Sequence, residues 1–290
     1  PATKAMFDGR ARVFFAMGGN FATATPDTAH THQALRRCEL TVHVSTKLNR
    51  SHLVHGRNAL ILPCLGRTEI DLQASGPQAV TVEDSMSMVH LSSGMNPPAS
   101  ERLMAKPAIV AHLAAATLPG SRTPWLELIE DYDRIRDRIA KVIDGFPDFN
   151  ARVRTDGGFH LNHPGRERVF PTKTGKAGFY AHALDESTAR AGVMQLMTVR
   201  SHDQYNTTVY GLDDRYRGVH GLRRVCFISR EDLERLGLRD GEHVDIASVW
   251  HDGERVVRDF RLVEYDIPAG CLAAYFPETN PLLPLHHHPR

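Results

Sequence analysis

Several polar segments of this sequence have the residue types needed to bind a ligand that carries phosphate groups. One of them, QLMTVRSHDQYNTTVYG, begins as a strand-like run and continues with nine polar or hydrogen-bonding residues at positions 200–208. An ordinary turn needs only about two or three such residues. Another is Gly18-Gly19-Asn20, where glycine lets a ligand approach the backbone and the N–H groups of a following helix favour an anion. A plain turn is the alternative for the glycine segment.

A further polar segment, VSTKLNRSH at residues 44–52, follows the next predicted strand. Ser45, Thr46, Lys47, Asn49 and Arg50 follow in quick order and supply hydroxyl groups, cations and an amide there. If this strand pairs with the strand before Gly18, these side chains emerge beside the glycine loop, because open α/β sheets bind ligands at the carboxyl ends of their strands. Such an arrangement would form a pocket for a phosphate and a base. A polar surface loop is the alternative.

The elements that must position these residues alternate between strand and helix in the first part of the chain. Residues 12–17 and 40–44 are apolar runs typical of strands, and Thr25 and Pro26 suit the N-cap and N1 positions of a helix that extends to about Arg37. The run NALILP at residues 58–63 predicts a further buried strand. We therefore expect residues 1–185 to form a doubly wound, mostly parallel α/β domain.

Residues 186–290 have the pattern of a mainly β domain. Short strand-like runs occur in VMQLMTV, RVCFI, HVDIASV and DFRLVEY. The segment SREDLERLG predicts one helix, with a capping box of Ser229 and Asp232 and a stop at Gly237. A small barrel is the expected architecture. Before the boundary, Thr123 and Pro124 begin a predicted helix that ends near residues 144–145.

Composition excludes several functional classes. The formal charge of +1, from 35 basic and 34 acidic residues, gives no general attraction to nucleic acid or to an anionic membrane. No run of about 18 apolar residues exists to span a membrane. The four scattered cysteines argue against a disulfide framework, a zinc site and an iron–sulfur cluster in these residues, and make a reducing cytoplasm the default location.

Reactive groups are not evident in the sequence. We find no motif of a catalytic nucleophile and no set of metal ligands, so we assign no catalytic residue and no metal-binding residue. The three histidines at residues 286–288 are interpreted as a tail and not as ligands.

Four segments together resemble the molybdopterin oxidoreductases that carry a bis-molybdopterin guanine dinucleotide. They are FFAMGGNFATATPDTAHTHQAL, ELTVHVSTKLNRSH, ALILPCLGRTEID and QLMTVRSHDQYNTTVYGLDDRYRGVHG. Their order and spacing are similar to the carboxyl-terminal part of formate-dehydrogenase-like alpha subunits, over essentially all 290 residues. The resemblance implies an α/β domain followed by a double-psi barrel-like cofactor-binding domain. It also implies two-electron chemistry at molybdenum or tungsten on a small substrate, for which formate is an analogy.

The resemblance implies which residues contact the cofactor. In the first domain, Gly18, Gly19 and Asn20 would hold the guanosine diphosphate arm of one cofactor half. Ser45 stands where relatives present an acidic residue to guanine, so Thr46 or Lys47 would substitute for it.

In the second domain, the segment TVRSHDQYN would reach the pterin and the phosphates. The residues implied there are Thr198, Arg200, Ser201, Gln204, Tyr205 and Asn206. The segment CLAAYFPETNPLLP resembles a strand and loop that close over the cofactor, which implies Tyr275 and Asn280.

In relatives, the iron–sulfur cysteines, where present, and the side chain that coordinates molybdenum lie in earlier domains, and nothing matches them here. We therefore expect this chain to be the cofactor-binding part of a longer enzyme with an unidentified electron-transfer partner. Two alternatives stay open. One is a non-catalytic module that binds guanine nucleotide or a partner subunit, and the other is a generic α/β nucleotide-binding domain with a β-barrel appendage.

Overall fold

The computed structural model describes residues 2–182, 192–207 and 209–285. By its internal contacts the chain divides into two compact units, residues 1–62 together with 184–290, and residues 63–183. The boundary predicted between residues 185 and 186 lies close to one edge of the second unit. The first unit, however, also contains the N-terminal residues.

Helices and strands alternate at the start of the chain, and strands dominate after residue 192. The strands are β1 (Val13–Met17), β2 (Leu40–Ser45), β3 (Asn58–Pro63), β4 (Asp71–Gln73), β5 (Gly76–Gln78), β6 (Val80–Glu83), β7 (Met88–Ser92), β8 (Phe159–His160), β9 (Gln195–Val199), β10 (Val225–Ile228), β11 (His243–Trp250), β12 (Gly253–Glu264) and β13 (Cys271–Tyr275). The helices are α1 (Ala2–Phe7), α2 (Phe21–Ala24), α3 (Thr28–Arg36), α4 (Lys106–Thr117), α5 (Trp125–Glu130), α6 (Asp133–Val142), α7 (Phe149–Val153), α8 (Pro164–Glu167) and α9 (Arg230–Leu236), with 3₁₀ turns at Arg50–Leu53 and Asn280–Leu282.

In the first unit, β1, β2 and β3 form a three-stranded sheet with β2 in the middle. Strands β1 and β2 run parallel, with Val13 opposite Leu40 and Met17 opposite Val44. The predicted strand–helix–strand unit is therefore confirmed. Its apolar core is a cluster of buried side chains from α1, α2, α3 and the segments that follow: Met6, Ala22, Ala34, Leu35, Cys38 and Val54.

Two details of this sheet and its helix differ from the sequence prediction. The helix begins at Thr28 and not at Pro26, because Asp27 is its N-cap and accepts a hydrogen bond from the His30 N–H at 3.4 Å. The apolar run of β3 predicts burial, yet Leu60 and Ile61 are 46% and 44% exposed. Strand β3 lies at the edge of the sheet, where it pairs with β2 alone among the described strands.

A five-stranded sheet in the order β11-β12-β10-β13-β9 forms the remainder of the first unit. Strand β10 runs parallel to β12 and antiparallel to β13, and β13 runs parallel to β9. All four residues of β10 are buried, because apolar clusters cover both of its faces. The strands predicted in this part of the chain are confirmed.

Helix α9 confirms the predicted start and stop, and of the predicted capping box it shows the hydrogen bond to the Ser229 side chain. The Ser229 hydroxyl oxygen accepts a hydrogen bond from the Asp232 N–H at 3.1 Å at the start of the helix. Gly237 ends the helix with a φ angle of 67°, in the left-handed region that glycine favours.

The second unit contains helices α4 to α8 and two small antiparallel sheets, β4–β5 and β6–β7–β8. The single helix predicted from Thr123 to residue 144 is wrong, since α5 and α6 are separate helices. The helix is interrupted at Tyr132 because the Tyr132 N–H donates to Gln78 Oε1 at 2.8 Å and the Tyr132 hydroxyl donates to Asp71 at 2.5 Å. Both partners lie more than 50 positions away in the sequence.

The described residues thus form a mixed α/β protein, as predicted, while two finer features are not confirmed. The strands described in residues 63–183 pair antiparallel and do not extend the parallel sheet of β1 and β2, as a doubly wound domain would require. The connectivity of a double-psi barrel is also not confirmed for the five-stranded sheet. Among the helices of the described ranges, none combines the length and the apolar composition needed to cross a membrane.

Replacing Ser229 with alanine should lower the free energy of unfolding of the first unit by about 1 kcal/mol, the usual cost of losing an N-cap side chain. The Ser229 hydroxyl also donates to the buried Asp232 carboxylate at 2.8 Å, so the change removes two hydrogen bonds. Urea denaturation followed by circular dichroism measures the effect. Glu234→Ala, an exposed change in the same helix, is the control. Equal midpoints for Ser229→Ala and the unchanged protein would contradict the capping role.

Candidate cofactor-binding site

The loop after β1 is built by two glycines in the left-handed region. Gly18 and Gly19 have φ angles of 72° and 76°, which residues with a Cβ atom adopt only with strain. The Gly18 N–H donates to the Val44 carbonyl at 2.7 Å, so the loop is held against β2. Asn20 then precedes helix α2. The glycine loop therefore lies at the carboxyl end of a parallel strand, where the sequence predicts it.

The carboxyl end of β2 lies beside this loop because β1 and β2 are parallel neighbours, with Met17 opposite Val44. Ser45, Thr46 and Lys47 follow directly. Thr46 and Lys47 are exposed, whereas Ser45 is only 9% exposed. The strand pairing on which the predicted pocket depends is thus confirmed.

Asn49 and Ser51 tie the glycine loop to the segment that follows β2. Asn49 Nδ2 donates to the Gly19 carbonyl at 2.8 Å, and Ser51 Oγ donates to Asn20 Oδ1 at 3.0 Å. The Asn20 amide oxygen is therefore engaged within the chain. Asn49 is one of the residues predicted for the pocket beside the glycine loop. Ser51 is not, and its place in the polar segment VSTKLNRSH is the only signal that points to it.

His52 links the same segment to the end of β2. Its Nδ1 accepts a hydrogen bond from the Asn49 N–H at 3.0 Å, and its Nε2 lies 3.1 Å from Ser45 Oγ. The Ser45 hydroxyl is consequently engaged inside the protein. The polar residues that remain exposed after this strand end are Thr46, Lys47 and Arg50.

The second predicted group lies at the carboxyl ends of β9 and β13, which are also parallel neighbours. Val199 pairs with Tyr275, and the Phe276 N–H donates to the Val199 carbonyl at 2.9 Å. Arg200 is exposed, and its Nη2 donates to Asn206 Oδ1 at 2.9 Å. Its guanidinium carbon lies 5.5 Å from the centre of the Phe276 ring. A neutral amide and an aromatic face orient this cation without neutralising it.

The loop after Arg200 closes on itself through side-chain hydrogen bonds. Gln204 Oε1 accepts from the Ser201 N–H at 3.0 Å and from Ser201 Oγ at 3.2 Å, and Gln204 Nε2 donates to the Asn206 carbonyl at 2.6 Å. Asn206 has a φ angle of 48°, a left-handed conformation that asparagine tolerates. Tyr205 is exposed and Thr198 is half-buried in β9. Hydrogen bonds thus link four of the six predicted residues of this segment, Arg200, Ser201, Gln204 and Asn206.

A buried arginine that sequence analysis missed contacts this loop. Arg223 is 6% exposed, and it donates from Nη1 to Ser201 Oγ at 2.8 Å and from Nη2 to Gln204 Oε1 at 2.9 Å. Its Nε donates to Glu278 Oε1 at 2.9 Å. Arginine is normally exposed, and in the sequence GLRRVCFI no feature separates Arg223 from a surface charge.

Tyr275 is 1% exposed, and its hydroxyl donates to Asp214 Oδ2 at 2.9 Å. Arg217 Nη1 donates to the same carboxylate oxygen at 2.6 Å and to the Arg200 carbonyl at 3.0 Å. Burial alone would raise the pKa of Asp214, but the hydrogen bonds from Arg217 and Tyr275 hold it below its ordinary value. Burial and the hydrogen bond to this carboxylate raise the pKa of Tyr275.

Asn280 connects the two predicted groups of residues. Its Nδ2 donates to the Thr23 carbonyl at 2.6 Å, and its own carbonyl accepts from the Asp27 N–H at 3.0 Å. Thr23 belongs to α2, directly after the glycine loop, so residues 276–280 extend from Arg200 to that helix. As cofactor contacts Tyr275 and Asn280 stay predictions, since the Tyr275 hydroxyl and Asn280 Nδ2 already bond within the chain.

Within the ranges 2–182, 192–207 and 209–285, no three His, Cys, Asp or Glu side chains form a group that could share a metal ion. The histidines at residues 286–288 lie outside the described residues. Cys38, Cys64, Cys226 and Cys271 are free thiols.

Comparison with known proteins identifies the family. A family model described as Molydopterin dinucleotide binding domain matches residues 194–286. An uncharacterized oxidoreductase of Mycobacterium tuberculosis is 56% identical over 293 residues, which covers 99% of this chain and 38% of the relative. Residues 194–286 thus belong to the molydopterin dinucleotide binding domain family. Protein YdeP of Escherichia coli is 47% identical over 291 residues, covering 98% of this chain and 38% of that protein.

The resemblance to molybdopterin oxidoreductases that the polar segments carry is therefore confirmed. The chain spans about two fifths of the length of the curated relatives it matches, at 38%. Among solved structures, acetylene hydratase from Pelobacter acetylenicus has a similar fold, with a TM-score of 0.55 and 15% identity. That similarity covers 94% of this chain and 38% of the hydratase chain.

Replacing Asp214 with asparagine should destabilise this family member near neutral pH and matter progressively less in acid. A carboxyl group whose pKa is lowered by folding stabilises the protein above its unfolded pKa, near 3.8. That contribution is lost as the pH falls through the folded pKa, which lies below 3.8.

Urea midpoints of the Asp214→Asn variant and the unchanged protein, compared across this range, measure the effect. Asp203→Asn is the control, because the Asp203 side chain is 65% exposed and lies 3.9 Å from its partner Arg215. A difference between Asp214→Asn and the unchanged protein that stays constant from neutral pH to acid would argue against the assigned ionisation.

Proposed function

We propose that the first unit of this chain holds a molybdopterin dinucleotide, with an anionic part of the cofactor bound at residues 200–206. The observation that carries the proposal is the position of Arg200. Its guanidinium is exposed at the carboxyl ends of two parallel strands, inside the region that matches the dinucleotide-binding family model. The planar fork of an arginine suits a phosphate group, because it can donate two parallel charge-assisted hydrogen bonds.

The glycine loop would hold the guanosine diphosphate arm of one cofactor half. Apart from Gly19 and its two chain neighbours, no described residue has an atom within 4 Å of the position that a Cβ atom on Gly19 would occupy, so the backbone there is open to a ligand. Thr46 and Lys47 are exposed beside the loop and offer a hydroxyl and a cation. The Ser45 hydroxyl is engaged with His52, so recognition of the guanine base would fall to Thr46 or Lys47.

The residues present fit such a cofactor in charge as well as in position. Lys47 and Arg200 are exposed cations at two strand ends, and a diphosphate carries negative charge. Gln204 and Asn206 have amide groups that suit the polar edge of a pterin, whose buried donors and acceptors each require a partner. These side chains would bind and orient the cofactor.

The metal of the bound cofactor, molybdenum or tungsten, would supply two-electron chemistry on a small substrate. Formate is a proposal by analogy alone. The metal-coordinating side chain, any iron–sulfur cluster and the electron-transfer partner would come from outside these residues. A reducing cytoplasm is part of the proposal, supported by the four free cysteines.

Full-length protein purified from its native host should contain near-stoichiometric molybdenum or tungsten and about two pterins per chain, as a bis-dinucleotide cofactor requires. Mass spectrometry measures the metal, and fluorescence of the oxidised pterin released by acid measures the cofactor. Guanine nucleotide in the same extract would support the guanine form. Neither metal nor pterin in intact, folded protein would sink the enzyme proposal and favour a non-catalytic binding module.

Arg200→Ala should speed the release of bound cofactor by about tenfold or more. A hydrogen bond to a charged group contributes about 1.5–3 kcal/mol, and about 1.4 kcal/mol corresponds to a factor of ten. Pterin retained by the holoprotein at successive times after gel filtration gives the release rate. Arg258→Ala is the matched control, since Arg258 is exposed on β12 and pairs with Asp245. Equal release rates for Arg200→Ala and Arg258→Ala would count against phosphate binding by Arg200.

A further inference from the structure

Arg223 and Glu278 form a buried ion pair beneath the loop of residues 200–206. We propose that they are a positioning pair that sets the shape of this loop and the direction in which Arg200 faces the cofactor. This inference rests on the proposed function of the loop. Neither residue is among the predicted cofactor contacts.

The N–H groups of Arg223 donate both to the loop of residues 200–206 and to Glu278 in the segment after β13. Two of its hydrogen bonds go to Glu278, from Nε to Oε1 at 2.9 Å and from Nη2 to Oε2 at 3.3 Å. The others go to Ser201 Oγ at 2.8 Å and Gln204 Oε1 at 2.9 Å, with a longer one to the Gly211 carbonyl at 3.4 Å. A buried charge is tolerated only when it has an opposite charge and hydrogen-bond acceptors beside it. The position of this guanidinium therefore determines where its partners lie.

Two tyrosine rings restrict the movement of the same guanidinium. Its central carbon lies 4.3 Å from the centre of the Tyr210 ring and 4.7 Å from that of Tyr275. At these distances each ring attracts the cation as well as confining it. Arg223 therefore has a fixed position relative to the loop, and Glu278 has a side-chain exposure of only 16%.

The orientation passes from Arg223 to Arg200 through two amide side chains. Arginine has only donors, so Gln204 must present its oxygen to Arg223. Its Nε2 then faces the Asn206 carbonyl, to which it donates at 2.6 Å. Asn206 Oδ1 in turn accepts from Arg200 Nη2 at 2.9 Å. If Arg223 moved, Gln204 would lose the hydrogen bond that fixes its side chain. Asn206 would then no longer be held in the conformation that orients Arg200.

Glu278 extends the same restraint to the neighbouring segment. It lies between Phe276, whose ring faces the Arg200 guanidinium, and Asn280, whose amide holds the Thr23 carbonyl. The ion pair thus joins the loop after β9 to residues 276–280. Lysine could keep the charge of Arg223, but its single ammonium group cannot reproduce the fork that contacts three side chains.

The test compares holoprotein carrying Arg223→Lys, Gln204→Ala, both changes together, or Arg235→Lys, each purified from the same host. Arg235 pairs with the buried Asp232 carboxylate in α9, away from the loop, and so provides a matched control. Glu278→Gln is the alternative variant if Arg223→Lys does not fold. The readouts are the rate of pterin release, the urea midpoint, and amide hydrogen exchange of the peptide that covers residues 198–207.

We expect Arg223→Lys to speed pterin release by about tenfold and to increase exchange in residues 198–207, while Arg235→Lys does neither. The double variant should release pterin no faster than Gln204→Ala alone, because Arg223 acts through the Gln204 side chain. A merely structural role would lower the urea midpoint and leave the two changes additive for release.

Two results would overturn the inference. The first is unchanged release and exchange in both Arg223→Lys and Glu278→Gln, with pterin present in the unchanged protein, which would leave the proposed function standing. The second is strict additivity of Arg223→Lys and Gln204→Ala in the release rate. Absence of pterin from the unchanged protein would instead refute the proposed function, and the positioning role with it.

Discussion

A guanidinium that is buried must have partners for its donors, and Arg223 imposes this requirement on separate stretches of the chain. Ser201 and Gln204 come from the loop after β9, and Glu278 comes from the segment after β13. Because β9 and β13 are adjacent strands of one sheet, the ion pair couples the loop to the packing of that sheet. The exposed cation Arg200 inherits its orientation from this buried one.

Parallel pairing explains why the polar residues collect at strand ends. Strands β1 and β2 end at the same edge of their sheet, which places Thr46 and Lys47 beside the glycine loop. Strands β9 and β13 do the same for Arg200 and Phe276. The hydrogen bond from Asn280 to Thr23 then connects the second edge to the helix after the glycine loop. Two local arrangements become parts of one unit.

The sequence predicts those features whose signals are local. The strands of the first unit follow from apolar runs, and α9 follows from Ser229 and Gly237 at its ends. The features it does not predict depend on distant partners. Tyr132 breaks a helix because Gln78, 54 positions away, takes its N–H, and Arg223 is buried because Glu278, 55 positions away, neutralises it. No pattern within a short window encodes such a contact.

The polar run at residues 200–208 combines two requirements that composition cannot separate. Ser201 and Gln204 satisfy one another and the buried Arg223, so these polar groups are needed by the fold itself. Arg200 and Asn206 lie exposed at the surface of the same loop. A loop that uses its inner groups for its own hydrogen bonds loses little further conformational entropy when a ligand binds. The preorganised cation at its surface is the group that a diphosphate would meet first.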